Sequence, residues 1–282
     1  MTGANSEVVD KIASDFNASQ TDYVVKPVFK GTYPETLNAG IAAFRAGQAP
    51  DIMQVFDVGT GVMMGAQGAI KPVAEVLTEK GRAVGAVTED GDVVRARAVV
   101  SNLHPRLLFE RFVDDAAVPA DFRERIGNYQ SGSGTFRMNV ALSELPKFTC
   151  LPEPGEHHQS GIIIAPTLDY MDRAFLDAKQ YGWSKKPIVE MLIPSIVDDS
   201  LAPAGSHVAS LFCQQFDPKV DWDTHRETVA DLIIDTVNDH APNFKASVIA
   251  RQIHSPLDLE RKFGLIGGDI MHGTMGIDQL WA

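Results

Sequence analysis

Ahead of residue 72 the hydrophobic positions change period several times. Val9, Ile12, Ala13 and Phe16 fall on one helical face, with Asn5 or Ser6 where an N-cap belongs. Tyr23 to Phe29 is dense in β-branched and aromatic residues, which predicts a strand. Pro34 then sits in a first turn, where its missing N–H is tolerated, and Leu37, Ile41 and Phe44 make the stripe of a second helix. Asp51 to Phe56 reads as a short buried strand, followed by a Gly- and Met-rich segment to Gly68. This is α/β text.

From Val73 the pattern changes. Val73 to Thr78, Ala83 to Thr88 and Val93 to Val100 are three β-rich runs, joined by Glu79-Lys80-Gly81-Arg82 and Glu89-Asp90-Gly91-Asp92. Asp-Gly between two such runs predicts a hairpin whose turn residues both take positive φ. Further strands are expected near Thr135 to Leu142, Gly161 to Ala165, Ile188 to Ile193 and Val208 to Phe216, alternating with helices. The clearest helix is Asp223 to Asp239, with Val229, Leu232, Ile233 and Val237 as its stripe and Asp221 as its cap. Strands and helices separated by Pro/Gly turns predict an α+β domain with a sheet of its own.

Composition narrows the function. The length of 282 residues allows one large domain or two smaller ones, and a formal charge of -12 argues against nucleic-acid or anionic-membrane partners. No apolar run reaches the roughly 18 to 20 residues that span a bilayer. Met1 to Glu7 shows neither a basic region nor an apolar one, so no export signal and a cytoplasmic address are expected. Cys150 and Cys213 lack CxxC or His spacing and are expected to be buried free thiols. His157-His158 should point in opposite directions with no third ligand nearby, so no metal is expected. Asp114-Asp115 and Asp198-Asp199 read as solvated turns, and no G-x-S-x-G elbow supports a hydrolase.

Two resemblances meet near Pro72. Phe16 to Tyr23, Lys26 to Met64 and Ala69-Ile-Lys-Pro-Val73 resemble the start of the periplasmic glycerol-3-phosphate-binding proteins of ABC transporters. In that family a Tyr and an acidic residue touch the ligand, which implies Tyr33 and Asp57 here, although Glu is usual at the second position. Only a minor part of that family's fold is covered, so no closed cleft is expected.

The remainder resembles FAD-dependent oxidoreductases related to phytoene desaturase, in the pyridine nucleotide-disulfide oxidoreductase domain-containing group. The matching text includes Val73 to Gly85, Ala96-Arg-Ala-Val-Val-Ser-Asn102, Gly134 to Pro146, Glu190-Met-Leu-Ile-Pro194, Pro256-Leu-Asp-Leu-Glu260 and Gly267-Gly-Asp-Ile-Met-His-Gly273. The implied fold is a short α/β segment over 1–72, then a mixed-sheet substrate domain with part of an FAD-domain β-hairpin. Within it, 73–105 is partial flavin-domain sheet, 106–255 substrate domain and 256–282 the return towards the flavin domain. The resemblance places Ser101 and Asn102 near the cofactor, with a turn before Leu103-His104-Pro105 as the alternative for Asn102, and His272 in a loop near the flavin, a candidate base or polar substrate contact, with a surface turn histidine as its alternative. Arg137 and Asn139 alternate with Phe136 and Met138, so they share one strand face and could line a substrate cavity; a solvated face is the alternative.

The family uses FAD and takes a small, apolar substrate, but it holds the pyrophosphate with a GxGxxG turn. Gly59-Thr-Gly61-Val-Met-Met-Gly65 has one residue too many for that motif and belongs to the solute-binding resemblance. FAD retention is therefore not expected, and a family segment beyond Trp281 is also missing from this text. Both parents carry Pro-Val at the join, which points to a fused reading frame.

Overall fold

The structure is a computed structural model that describes residues 6–31, 33–53, 73–132 and 134–280. The chain divides into two compact units, Met1–Leu77 with Val84–Arg97, and Thr78–Ala83 with Ala98–Ala282.

In the first unit, α1 spans Ser6–Ser19 and α2 spans Tyr33–Arg45, as the helical periods predict. The α1 stripe is barely used: Ala13 is buried, but Ile12 is 63% and Phe16 42% exposed. The expected strand over Tyr23 to Phe29 does not form. Its backbone is held instead by side chains at the end of α1. Asn17 donates to the Val25 carbonyl at 2.8 Å and accepts from the Val25 N–H at 2.7 Å. Gln20 does the same for Tyr23, at 2.8 and 2.9 Å. A β-prone run without a partner strand has no ladder to join, so propensity alone does not make it a strand. Asp51–Met53 is irregular rather than a strand, and the rest of that expected element lies outside the described residues.

Three strands follow, β1 (Val73–Glu79), β2 (Arg82–Thr88) and β3 (Val93–Arg95), in the order β1-β2-β3. The turn with two positive φ values is Lys80-Gly81, at 51° and 74°. In the Asp90-Gly91 turn Gly91 alone is left-handed, at 86°, with its N–H on the Thr88 carbonyl at 2.9 Å. The expected two-residue turn is thus a longer loop closed by a left-handed glycine. β3 also ends early. After Ala96 donates to the Val84 carbonyl the chain leaves the sheet, and Val100 is 95% exposed.

The second unit holds α3 (Ala120–Gly127), β4 (Gly134–Leu142), β5 (Ile162–Ile164), α4 (Leu168–Tyr181), β6 (Trp183–Leu192), β7 (His207–Phe216), α5 (Trp222–Asn238), β8 (Val248–His254) and α6 (Pro256–Phe263). Its sheet has the order β5-β6-β7-β4-β8, and every neighbouring pair is antiparallel. The fold class is mixed α/β. Alternation along the strands sends Phe136, Met138, Val140 and Leu142 of β4 into the core, with Val189 and Met191 of β6 and Ala209, Leu211 and Cys213 of β7. Trp222, Val229, Ala230, Ile233 and Val237 of α5 join the same cluster. Each large side chain buried there contributes about 1.5–3 kcal/mol.

Local signals set the helix ends. Asp221 accepts from the Thr224 N–H at the start of α5, as its sequence predicts. Ser255 and Asp258 form a reciprocal capping box for α6. β6 begins before the apolar run that announces it, and β8 is an element the periodicity misses. Only Ile253 of β8 is buried, while Arg251 reaches Glu227 and Asp231 on α5. No described helix is long and apolar enough to cross a membrane.

Candidate functional site

The Gly-rich segment carrying His272 is pinned to the chain leading into β4. Asp269 is fully buried and accepts from the Met271 N–H at 2.9 Å and the Gly132 N–H at 3.2 Å. Its backbone also bridges to Gly134. The turn needs left-handed backbone: Gly267 and Gly268 both have φ of 64°, and His272 itself has 60°. A Cβ on Gly268 would lie 2.5 Å from Pro256 Cα, so only glycine fits.

This arrangement brings His272 beside a second histidine that the sequence reading passed over. His104 is buried, and its ring centroid lies 6.0 Å from that of His272 and 5.5 Å from that of Tyr129. Its Nδ1 accepts from the Arg106 N–H at 3.1 Å, so the ring proton sits on Nε2, which donates to Ser131 Oγ. Burial, and then the neighbouring His272, hold the His104 pKa below the ordinary imidazole value. His272 Nδ1 is buried without a hydrogen-bond partner. One imidazole is therefore locked as a neutral donor, and the other keeps a nitrogen that no group among the described residues satisfies. The signal for His104 was present in Leu103-His104-Pro105, which reads as an ordinary turn.

Arg137 and Asn139 point away from the core, as alternation predicts. Register places them in two rows across the sheet. One row runs Ile163, Glu190, Phe212, Arg137, His254; the next runs Leu192, Ser210, Asn139, Gln252. None of these side chains is buried, whereas their strand neighbours on the other face are. The Arg137 guanidinium lies 5.2 Å from the Phe212 ring centroid, and its Nε is buried without a partner. Asn139 makes one long contact to Gln252, at 3.4 Å. Burial first, and then Lys262, lower the pKa of His254 at the end of the row.

Ser101 and Asn102 are exposed, three and two residues ahead of His104. Ser101 Oγ accepts from the Leu103 N–H, and neither side chain bonds to the His272 loop. Tyr33 opens α2, and Asp57 lies outside the described residues, as does Gly59 to Gly65. Cys213 is buried and its thiol pKa is pushed up, but Cys150 is exposed, contrary to expectation. The His157 and His158 rings lie 3.9 Å apart, tilted by 42°, instead of diverging, within a 3₁₀ turn over Glu156–Gln159. Asp114 and Asp198 cap short turns through Ala116 N and Ser200 N. Among the described residues no group of three His, Cys, Asp or Glu could hold a metal.

The described residues do not fit the pyrophosphate of FAD. Among them no Gly-rich turn joins a strand to a helix. The N-termini of α4, α5 and α6 are already closed by Thr167, Asp221 and Ser255, which accept from Tyr170, Thr224 and Asp258 N–H groups. All three ends also carry a carboxylate, Asp169, Asp221 or Asp258, where a phosphate would need positive potential.

No family model matches the chain. It is 40% identical over 225 residues to the mouse pyridine nucleotide-disulfide oxidoreductase domain-containing protein 2, a match covering 75% of this chain and 38% of that protein. The rat protein of the same name matches equally well, over 226 residues. The chain thus spans well under half the length of these curated relatives. A different match, 75% identical over 81 residues, is to the sn-glycerol-3-phosphate-binding periplasmic protein UgpB of Agrobacterium fabrum, covering 29% of this chain and 19% of that protein. Among solved structures, an oxidoreductase from Methanosarcina mazei is similar at 18% identity and a TM-score of 0.44, over 71% of this chain and 41% of that one. The chain is therefore similar over 225 residues to the pyridine nucleotide-disulfide oxidoreductase domain-containing proteins, and over 81 residues to the glycerol-3-phosphate-binding proteins.

Proposed function

We propose that residues 106–255 are the substrate domain of an FAD-dependent, phytoene dehydrogenase-like oxidoreductase, and that 256–282 return towards the flavin side. Arg137, Asn139 and Phe212 form one wall of the substrate cavity. His272 is the group placed to handle a proton, supported by His104 and Asp269, and Ser101 and Asn102 belong to the flavin-facing segment. The observation that carries this reading is the unequal treatment of the two sheet faces. One face is fully packed, while the other holds a half-buried Arg137 with a partnerless Nε. The 40% identity to oxidoreductase-domain proteins supports an oxidoreductase reading of that face.

The chain by itself is proposed to hold no flavin, because no Gly-rich turn joins a strand to a helix among the described residues and the N-termini of α4, α5 and α6 are already capped. The test is a visible absorption spectrum after incubation with excess FAD and removal of the unbound fraction. A colourless protein is expected; a stoichiometric flavin band would refute this part. Two unlike matches in one chain support a fused reading frame, checked by sequencing reads across the codons for Lys71 to Glu75.

A second reading rests on the 75% identity of the N-terminal match. It makes the first unit a binding module for glycerol-3-phosphate or a similar polyol phosphate, through Tyr33 and Asp57. Calorimetry with glycerol-3-phosphate decides it: micromolar binding supports the module, and no heat of binding removes it.

A further inference from the structure

The open sheet face is not the lining expected for a purely apolar substrate. Between Ala98 and Leu280 there are nine arginines. Arg106, Arg123, Arg125, Arg173, Arg226, Arg251 and Arg261 each pair with a carboxylate. Arg111 is exposed and has water. Among these arginines and the described residues, Arg137 alone is both half-buried and without a counter-charge, in a chain whose net charge is -12. The sheet enforces this isolation. Its row neighbours are Phe212 and His254, and the nearest carboxylate in the row, Glu190, is two strands away. At the usual strand spacing that is about 10 Å, too far for an ion pair.

We propose that this face binds an amphipathic monocarboxylate, its head on Arg137 and its apolar body along Phe212. This deepens the substrate-domain reading above and rests on it. A guanidinium grips a carboxylate through a fork of N–H donors, and no described carboxylate pairs with this one. A half-buried cation without a counter-charge is costly, so the site gains from an anionic ligand at the exposed part of the guanidinium. One fixed cation suits a single negative charge better than a phosphate dianion, and His254 in the same row is held towards its neutral form. Phe212 beneath the guanidinium continues as apolar surface, with Ile188 and Val208 on the same face of the flanking strand positions.

The test uses the purified full chain without added flavin, comparing octanoate with octan-1-ol by calorimetry. Octanoate should bind on the order of 10-fold tighter or better, the scale of one charge-assisted hydrogen bond. Arg137→Gln should erase that preference, and Arg137→Lys, which keeps the charge but loses the fork, should keep part of it. Equal affinity for the two probes, binding of neither, or an unchanged preference in a folded Arg137→Gln variant would each overturn the proposal. If circular dichroism shows that Arg137→Gln does not fold, the wild-type comparison decides alone. Because flavin never enters the assay, headgroup selectivity can stand while the oxidoreductase reading falls, and the reverse.

Discussion

Replacing Asp269 tests whether the His272 loop is held as the geometry implies. The fully buried side chain accepts from two backbone N–H groups, Met271 at 2.9 Å and Gly132 at 3.2 Å. Asp269→Ala strands both donors, each worth about 1–3 kcal/mol when left unsatisfied, while relieving the desolvation of the carboxylate. The net loss expected is about 2–4 kcal/mol. Asp269→Asn keeps one acceptor and turns an amide towards the other donor, so about half that loss is expected. Urea unfolding followed by tryptophan fluorescence gives the shift in midpoint, since Trp222 is fully buried in the core. Amide exchange at Gly132 and Met271 locates the effect. Both variants within about 0.5 kcal/mol of wild type, or unchanged protection at those amides, would refute the role given to Asp269.

Three further outcomes follow from the same structure. Burial lowers the His104 pKa, so the unfolded chain takes up a proton near the ordinary imidazole value of 6.5 while the folded chain resists it. The stability linked to this group is therefore complete above that value and lost as pH falls through the window beneath it. His157, His207 and His254 are shifted the same way by burial and add to it. Melting temperatures measured from about pH 7.5 to 5.5 should fall, and less steeply in His104→Gln. Gly268→Ala meets Pro256 at 2.5 Å and should cost about 2 kcal/mol or more in chemical denaturation, whereas Gly264→Ala, with nothing within 4 Å, should cost only the left-handed backbone, about 1 kcal/mol. Thiol titration should find Cys150 reactive in the folded chain and Cys213 only after denaturation, and simultaneous reaction of both would contradict the buried position of Cys213.

Where each residue's role was decided by its immediate neighbours, the sequence made it legible. The strands carrying the core of the second unit showed their alternation plainly, and Asp221 announced the start of α5. β8 was hidden because Arg251 and Gln252 interrupt its pattern, and their partners are set by folding: Arg251 finds acids on α5, and Gln252 pairs across from Asn139. Tyr23 to Phe29 failed in the opposite sense, strong in local propensity but without a neighbouring strand. His272 stood out through its flanking glycines. Its companions His104 and Ser131 come from text more than a hundred residues earlier, and no spacing rule connects them. The polar face of β4 was readable as a face; that Arg137 on it lacks a counter-charge required the register of five strands.

The two matched portions separate similarity from the ability to stand as a folded unit. The N-terminal match is far the more identical, 75% against 40%, yet α1 buries only Ala13 along its stripe. The exposed Lys11–Asp15 pair at 2.8 Å adds only a few tenths of a kcal/mol, and a helix of this length is marginal without packing. Burial of Ile12 and Phe16 needs a surface to cover, and the shared 81 residues are 19% of that relative's length. The less similar portion does close a core. Its five strands and α5 enclose a continuous cluster from Phe136 to Ile253. Hydrophobic stabilisation follows area removed from water, not ancestry. Stability of the chain should therefore reside in β4 to α6, and it is on the face of that sheet opposite the core that any bound ligand would be felt.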